Sequence, residues 1–232
     1  MNFSLSSQYK KVLIFENSLG KARELCPDIE TMPYDFELYS QIRAIFYKIL
    51  LAYADQLQPI SVDEAYLDVS SRVPSVHEDV VASHRAAISL AENVRDEIRR
   101  ETNCEVSIGI SHNMVLARLA TKRAKPASSF HLLPSEVVDF LAPLEVDDLP
   151  GVGWNMADKL DKKLGIKTLS NILEAGKAKL QDCLGPNLGI KIYDFARGID
   201  ARPLEPPGPR KSVSVEMNYA IRFTADEEVQ VS

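Results

Sequence analysis

The sequence is poor in cysteine, has no excess of positive charge and contains no long hydrophobic run. Its three cysteines, Cys26, Cys104 and Cys183, are isolated and show no CxxC spacing. A disulfide framework or a zinc site would need paired or regularly spaced cysteines, so we expect reduced structural residues. The histidines His77, His84, His112 and His131 also lack metal-ligand spacing, and no role is predicted for them.

The hydrophobic segments are too short for a membrane span or a signal peptide. Residues 45–54 are interrupted by Lys48, whereas a transmembrane helix needs about 20 mainly apolar residues. The apolar run that follows Lys10 and Lys11 has only four residues, which is shorter than a signal-peptide core. We therefore expect an intracellular protein with no membrane partner.

The net charge of −6 is opposite in sign to that of a typical nucleic-acid-binding protein. Any affinity for nucleic acid must come from local basic patches, while acidic clusters could hold divalent cations. The sequence also lacks a GxGxxG motif and a Walker A motif, so these two nucleotide-binding loops are excluded.

The hydrophobic periodicity predicts an α+β fold followed by a smaller helical region. Apolar residues recur at helical or alternating spacing. The predicted helices cover residues 21–25, 35–56, 80–98 and 113–125, and the predicted β segments cover 60–69 and 106–110. This order favours an α+β layer with a mixed or antiparallel sheet over a regular Rossmann repeat.

After about Leu141 the pattern changes to short helices separated by glycine-containing turns. Prolines 203, 206, 207 and 209 then predict a stiff linker. Alternating apolar residues over 212–223 predict one further β-strand.

The adjacent carboxylates Asp63 and Glu64 stand out within an otherwise apolar β segment. Buried carboxylates are costly unless they are paired or bind a cation, and Mg²⁺ prefers such hard oxygen ligands. Neighbouring side chains in a regular strand point to opposite faces, so both can reach one site only if the backbone bends at a hairpin or bulge. The alternative is a solvated turn between strands.

Basic residues gather on the helix predicted over 113–125, at Arg118, Lys122, Arg123 and Lys125. The small side chains of Ala120 and Ala124 would let a phosphate approach this helix closely. The alternative is a solvated helix face.

Residues 149–153 (Leu-Pro-Gly-Val-Gly), with Ala157 and Leu160 after them, form a helix-hairpin-helix signature. Gly151 and Gly153 would let the backbone approach a DNA phosphate next to a helix N-terminus. Lys159 lies just after this segment. Contacts from these glycines and from Lys159 would bind the DNA backbone and not its bases. Trp154 could contact DNA or pack locally, and an ordinary turn between helices is the alternative for the whole segment.

The segment Ser61-Val62-Asp63-Glu64-Ala65-Tyr66-Leu67-Asp68 resembles the second metal-ligand motif of the Y-family of translesion DNA polymerases. The resemblance implies that Asp63 and Glu64 are catalytic and bind Mg²⁺, and that Asp68 is structural. Residues 106–126 also resemble the family and imply that Lys125 contacts the triphosphate of the incoming nucleotide, with Arg118 and Arg123 as weaker phosphate contacts.

The resemblance extends from about Ser18 to Thr224 and is closest to the deoxycytidyl-transferase branch, as in Met32-Pro33-Tyr34-Asp35-Phe36 and in residues 210–219; a sister enzyme of the family is the alternative. It implies a remnant of the fingers with an unplaced N-terminus over 1–32, an incomplete palm over 33–142, a helix-hairpin-helix thumb over 143–204, and a linker with the start of a little finger over 205–232. It also implies DNA contacts at Arg210, Lys211 and Ser212, and a nuclear location.

Residues 1–20 contain no counterpart of the family's earlier palm strand with its metal-binding Asp and aromatic steric gate. The fingers Tyr and Arg that hold the triphosphate are also without a counterpart, and no binding regions for clamps or other polymerases are expected in this sequence.

Two functions therefore remain open. One is dCMP insertion from dCTP opposite damaged or abasic sites in primer-template DNA. The other is an inactive fragment that binds DNA only through the thumb. A helix-hairpin-helix nuclease or glycosylase explains less, because it gives Asp63 and Glu64 no role.

Overall fold

Helices dominate residues 19–206, 208 and 212–214, which are the residues that the computed structural model describes. The elements are α1 (Leu19–Leu25), α2 (Phe36–Tyr53), β1 (Gln56–Pro59), β2 (Ala65–Asp68), α3 (Val80–Thr102), β3 (Ile108–Ile110), α4 (Met114–Ala124), β4 (Ser129–His131), α5 (Val137–Leu141), α6 (Trp154–Leu164), α7 (Leu169–Ala175), α8 (Lys177–Leu184) and α9 (Pro186–Ala196). Short 3₁₀ turns lie at Ser70–Arg72, Pro134–Glu136 and Val146–Asp148.

Polar side chains define where the long helices begin. The side chains of Asp35, Asp79 and Asn113 each accept a hydrogen bond from the amide three residues later, at the starts of α2, α3 and α4. These caps satisfy amides that have no partner inside the helix. The α+β fold and its predicted helices are confirmed, with small shifts at the helix ends.

The strands form two separate pairs. β1 and β2 are antiparallel, with Pro59 opposite Ala65. β3 and β4 are parallel, with Ile108 opposite Ser129, and α4 is the crossover between them. The prediction of one β segment over 60–69 was wrong, because the strand begins only at Ala65 and residues 60–64 form the turn that joins β1 to β2.

The strands β1 and β4 were not predicted. Pro59 looked like a structure breaker, but β1 is an edge strand that pairs with β2 on one side, where a missing N–H is tolerated. β4 has the sequence Ser-Phe-His, which lacks the β-branched residues that mark most strands.

Helix α4 lies directly against β3 at Gly109. A Cβ atom added to Gly109 would be 2.0 Å from the amide nitrogen of Thr121. The Gly109 amide donates a hydrogen bond of 3.1 Å to the hydroxyl of Thr121. No side chain fits between helix and strand here, so this glycine sets their separation.

Two hydrophobic cores hold the fold together. The smaller core lies between α2 and α3, where Ile49, Leu50, Val94 and Ile98 are buried against β-strand residues. The larger core begins on α4 with Val115, Leu116 and Leu119 and continues through the predicted helical region, α6 to α9. Each fully buried Leu or Ile contributes roughly 1.5–3 kcal/mol to folding.

Two observations on the described residues concern the cysteines and possible membrane spans. The three cysteines are free, as predicted. Within residues 19–206, no helix has both the length and the apolarity required to cross a membrane. The strand predicted over 212–223 lies mostly outside the described residues.

Candidate active site and DNA-binding turn

The two predicted metal ligands lie in the turn between β1 and β2, which we call the carboxylate turn (residues 60–64). The turn is closed by the amides of Ile60 and Ser61, which donate to the carbonyl of Glu64 at 2.9 and 3.1 Å. Asp63 and Glu64 can share a site only if the backbone bends, and the hairpin between β1 and β2 provides that bend.

Burial, however, does not distinguish these two carboxylates. Asp63 is exposed, and the side chain of Glu64 is 43% exposed. Both carboxylates are therefore accessible to a ligand, and no desolvation cost demands a cation. A functional interpretation of Asp63 and Glu64 therefore depends on the groups that surround them and not on burial.

Two hydroxyl groups organise the carboxylate turn. The Tyr47 hydroxyl, on α2, lies 2.6 Å from the carbonyl oxygen of Ser61 and 3.0 Å from that of Glu64. The Ser61 hydroxyl donates a 2.6 Å hydrogen bond to Oδ1 of Asp63 and accepts one from the Asp63 amide at 3.3 Å. The backbone and one carboxylate of the turn thus have defined positions.

Arg118 on α4 faces this turn. Its guanidinium lies 3.3 Å from Oε1 of Glu64, and both side chains are 43% exposed. A hydrogen bond with the Tyr66 side chain, and then the charge of Glu64, raises the pKa of Arg118 against the opposing effect of burial. At this exposure the ion pair contributes about 0–1 kcal/mol, so Arg118 remains able to exchange Glu64 for an anionic ligand.

Lys125 caps the C-terminal end of α4 and is exposed. The loop after it is anchored by Arg95, a buried residue of α3 whose guanidinium donates to the carbonyl of Ala127 at 2.6 Å and to that of Val106 at 3.0 Å. Ala127 has a φ of +44°, which is strained for a residue with a Cβ. Arg95 therefore holds the loop that follows the predicted triphosphate-binding lysine.

Asp63, Glu64, Arg118 and Lys125 line one cavity of about 1970 Å³. Its walls include β2, β3 and apolar residues of α2 and α3. The predicted metal ligands and the predicted triphosphate contact are therefore brought to a common space. Arg123, a weaker predicted contact, is exposed on α4 and does not line this cavity.

The glycine turn (residues 149–153) lies between the 3₁₀ turn Val146–Asp148 and α6. Gly151 has a φ of +88°, which favours glycine, whereas Gly153 has a φ of −97° that any residue can adopt. A Cβ on Gly153 would meet no atom within 4 Å. The internal packing thus gives no reason for glycine at 153, and its open side is accessible from outside.

The surroundings of the glycine turn are mixed in charge. Gly153 supplies no side-chain cap to α6, and its carbonyl accepts from the Met156 amide, so the first two amides of the helix are left for other partners. Lys159 is exposed on the same helix. Trp154 is 76% exposed, which excludes a packing role for its ring. Asp148, just before the turn, forms an ion pair with Lys122 of α4.

The remaining predicted DNA contacts lie after the proline-rich segment. Ser212 is exposed, and Arg210 and Lys211 lie outside the described residues. Tyr47, Ser61 and Arg95 were not predicted to take part in the site. Ser61 could have been found from its place two residues before Asp63. No sequence pattern links Tyr47 to the carboxylate turn, or Arg95 to the loop after Lys125.

Models of two protein families match successive parts of the chain. Residues 16–122 match the impB/mucB/samB family, and residues 147–200 match the thumb domain of DNA polymerase-iota. The first match includes the carboxylate turn and Arg118, and the second includes the glycine turn and Lys159.

Curated relatives come from eukaryotes and bacteria. The chain is 39% identical over 211 residues to the DNA repair protein rev1 of Schizosaccharomyces pombe, and the match covers 90% of this chain and 22% of the relative. It is 39% identical over 204 residues to DNA polymerase IV of Stenotrophomonas maltophilia, covering 86% of this chain and 52% of that relative. The chain thus spans between about a fifth and about half of the length of these relatives.

Solved structures share the same fold. An insertion ternary complex of Dbh DNA polymerase aligns with a TM-score of 0.75 at 27% identity, covering 86% of this chain and 56% of that one. A Y-family DNA polymerase chimera of Dbh and Dpo4 aligns with a TM-score of 0.70 at 28% identity, covering 81% and 52%.

Proposed function

This chain belongs to the Y-family of translesion DNA polymerases, and we propose that it contributes to nucleotidyl transfer on damaged primer-template DNA. The observation that carries the proposal is the shared cavity, which is lined by Asp63, Glu64, Arg118 and Lys125. In such a reaction the primer 3′-oxygen forms a bond to the α-phosphorus of a deoxynucleotide, and the bond to pyrophosphate breaks. The site must therefore bind a triphosphate and hold a cation.

The donor set of the carboxylate turn fits Mg²⁺. Asp63 and Glu64 offer hard, accessible oxygen atoms, and Mg²⁺ in proteins commonly takes one or two carboxylates together with phosphate oxygens. We assign these two residues as its ligands. When bound, the ion would lower the pKa of the primer hydroxyl and neutralise charge on the phosphates. Glu64 would have to loosen its ion pair with Arg118 for this role.

Lys125 and Arg118 are assigned to the triphosphate. Lys125 acts as a point charge toward phosphate, and the planar guanidinium of Arg118 can bind two phosphate oxygens at once. The fixed loop beyond Lys125 supports this assignment, since Arg95 holds it at the Ala127 carbonyl. Release of Arg118 from its ion pair with Glu64 would free the guanidinium for phosphate.

The glycine turn is assigned to the DNA backbone, as the thumb of the proposed polymerase. Gly153 gives close access to the first amides of α6, with Lys159 on the same helix. Arg210, Lys211 and Ser212 remain predicted DNA contacts. The preference for dCTP, a nuclear location and the four domain boundaries follow from the resemblance and stay proposals.

A second function is DNA binding without catalysis. One observation favours it: among the described residues there is no group of three or more acidic, histidine or cysteine side chains that could hold a metal ion. Asp63 and Glu64 are then the only residues assigned as metal ligands, and a two-metal site would need a further carboxylate.

Primer extension on an abasic template separates the two functions. The full chain is incubated with labelled primer-template, Mg²⁺ and each nucleotide in turn, and compared with Asp63→Asn and Asp68→Asn. Asp68 is the matched control: it lines the same cavity from β2, but its carboxylate accepts from the Ser70 amide at 2.9 Å, a bond that Asn can also accept. We expect dCMP insertion that Asp63→Asn abolishes and Asp68→Asn retains. DNA binding with no insertion at any enzyme concentration would instead establish the second function.

A further inference from the structure

Tyr47 connects helix α2 to the carboxylate turn although it is separated from that turn by many residues. Its hydroxyl lies 2.6 Å from the Ser61 carbonyl oxygen and 3.0 Å from the Glu64 carbonyl oxygen, so its single proton is shared between two carbonyl groups of the turn. Within the described residues, Tyr47 and Ser61 are the only side chains that hydrogen-bond to the backbone of residues 61–64.

The tyrosine ring is itself fixed. The Phe46 ring lies edge-on to it with centroids 5.3 Å apart, and the Arg43 guanidinium lies 5.6 Å from its centroid. These ring contacts hold the hydroxyl beside the two carbonyl oxygens of the turn.

The hydrogen bonds continue from Tyr47 to a carboxylate. The Tyr47 hydroxyl donates toward the carbonyl of Ser61, and the Ser61 hydroxyl donates to Oδ1 of Asp63 at 2.6 Å. In a regular strand Asp63 and Glu64 would point to opposite faces. An irregular turn must therefore be held in place if both carboxylates are to meet one ion.

We propose that Tyr47 is a positioning residue for this site: by holding the Ser61 and Glu64 carbonyls, it fixes the turn that presents Asp63 and Glu64 together. The inference rests on the proposed function for its metal, but the hold on the turn is a property of the chain itself. Groups that orient metal ligands typically change metal affinity by about 10–100-fold when they are removed.

Tyr47→Phe removes only the hydroxyl, and Tyr53→Phe is its matched control. Tyr53 lies on the same helix and donates a 2.7 Å hydrogen bond to Glu97 on α3, away from the turn. Binding of Mn²⁺ alone to the full chain is measured by electron paramagnetic resonance. Amide hydrogen exchange at Ser61, whose N–H is held by the Glu64 carbonyl, reports on the turn.

We expect Tyr47→Phe to weaken Mn²⁺ binding about tenfold and to speed exchange at Ser61, while Tyr53→Phe changes neither. If Tyr47→Phe leaves exchange at Ser61 at the wild-type rate, or if Tyr53→Phe speeds it equally, the inference is wrong. Asp63→Asn distinguishes a failure of the proposed metal role from a failure of the inference about Tyr47. If it binds Mn²⁺ as the wild type does, the proposed metal role fails, and the inference is then judged on the exchange data alone.

Discussion

The glycine turn allows DNA contact to be tested apart from stability through Gly153→Ala. Gly153 has a φ of −97° and a ψ of 173°, which alanine adopts without strain, and its added Cβ would meet nothing within 4 Å. Inside the protein the new methyl group thus touches no other residue. Any large effect must come from a molecule that approaches the turn from outside.

Two small terms bear on the stability of Gly153→Ala. Alanine is a poorer residue than glycine at a helix N-cap, by up to about 1 kcal/mol. It also restricts the unfolded chain, which stabilises the fold by about 0.4–1 kcal/mol. These terms oppose each other, so the free energy of unfolding should change by less than about 1 kcal/mol.

The expected effect on DNA binding is larger. If the methyl group prevents one hydrogen bond between a backbone amide and a phosphate, binding weakens by about 1.5–3 kcal/mol, or roughly 10–100-fold in Kd. The slope of log K against log salt should stay close to the wild-type value, because it counts the phosphates that Lys and Arg neutralise and this substitution removes neither. A weaker Kd at an unchanged slope is what a local steric effect at a neutral amide predicts.

Fluorescence anisotropy of labelled primer-template over a range of salt concentrations measures both quantities. Gly165→Ala is the control, because Gly165 ends the same helix with a φ of +66° and its Cβ would also meet no atom within 4 Å. That variant should lose stability and keep its DNA affinity. An unchanged Kd in Gly153→Ala, or equal weakening in Gly165→Ala, would refute the assigned contact.

Two further predictions concern stability. Gly109→Ala should lower the free energy of unfolding by about 1–3 kcal/mol or more in thermal denaturation, because its Cβ would lie 2.0 Å from the Thr121 backbone; a wild-type melting temperature would contradict this packing. Burial, then the neighbouring charge of His84, lowers the pKa of His131, so the unfolded chain binds more protons and stability should fall as pH drops below the ordinary value of about 6.5. His131→Phe should reduce this pH dependence in chemical denaturation but not abolish it, since burial also lowers the pKa of His112. The exposed control His77→Phe should leave the pH dependence unchanged. Equal pH dependence in the wild type and both variants would exclude His131 as the cause.

Local patterns were enough to predict the helices and to single out the adjacent carboxylates. The amphipathic spacing of α2, α3 and α4 and their capping residues Asp35, Asp79 and Asn113 depend on neighbours within the same helix. The Asp63-Glu64 pair was identifiable because adjacent carboxylates in an apolar segment are uncommon. In these cases the feature depends on residues that are close together in the sequence.

Long-range contacts explain what could not be predicted. β1 and β4 are strands because they pair with β2 and β3, and not because of their own composition. The Tyr47 hydroxyl and the Arg95 guanidinium act on carbonyl groups that are distant in sequence, and no spacing rule specifies such partners. The exposure of Asp63 was misjudged for the same reason, since the apolar residues around it belong partly to a turn.

Helix α4 links the two parts of the proposed site. One side of it contacts β3 at Gly109, while Val115, Leu116 and Leu119 belong to the core of the helical region. Along the same helix, Arg118 meets Glu64 of the carboxylate turn at 3.3 Å, and Lys122 pairs with Asp148 next to the glycine turn. A shift of α4 would therefore move both turns relative to its basic residues. Because the contact at Gly109 leaves no room for even one methyl group, packing in the interior determines how far the assigned cation ligands lie from the assigned DNA contact.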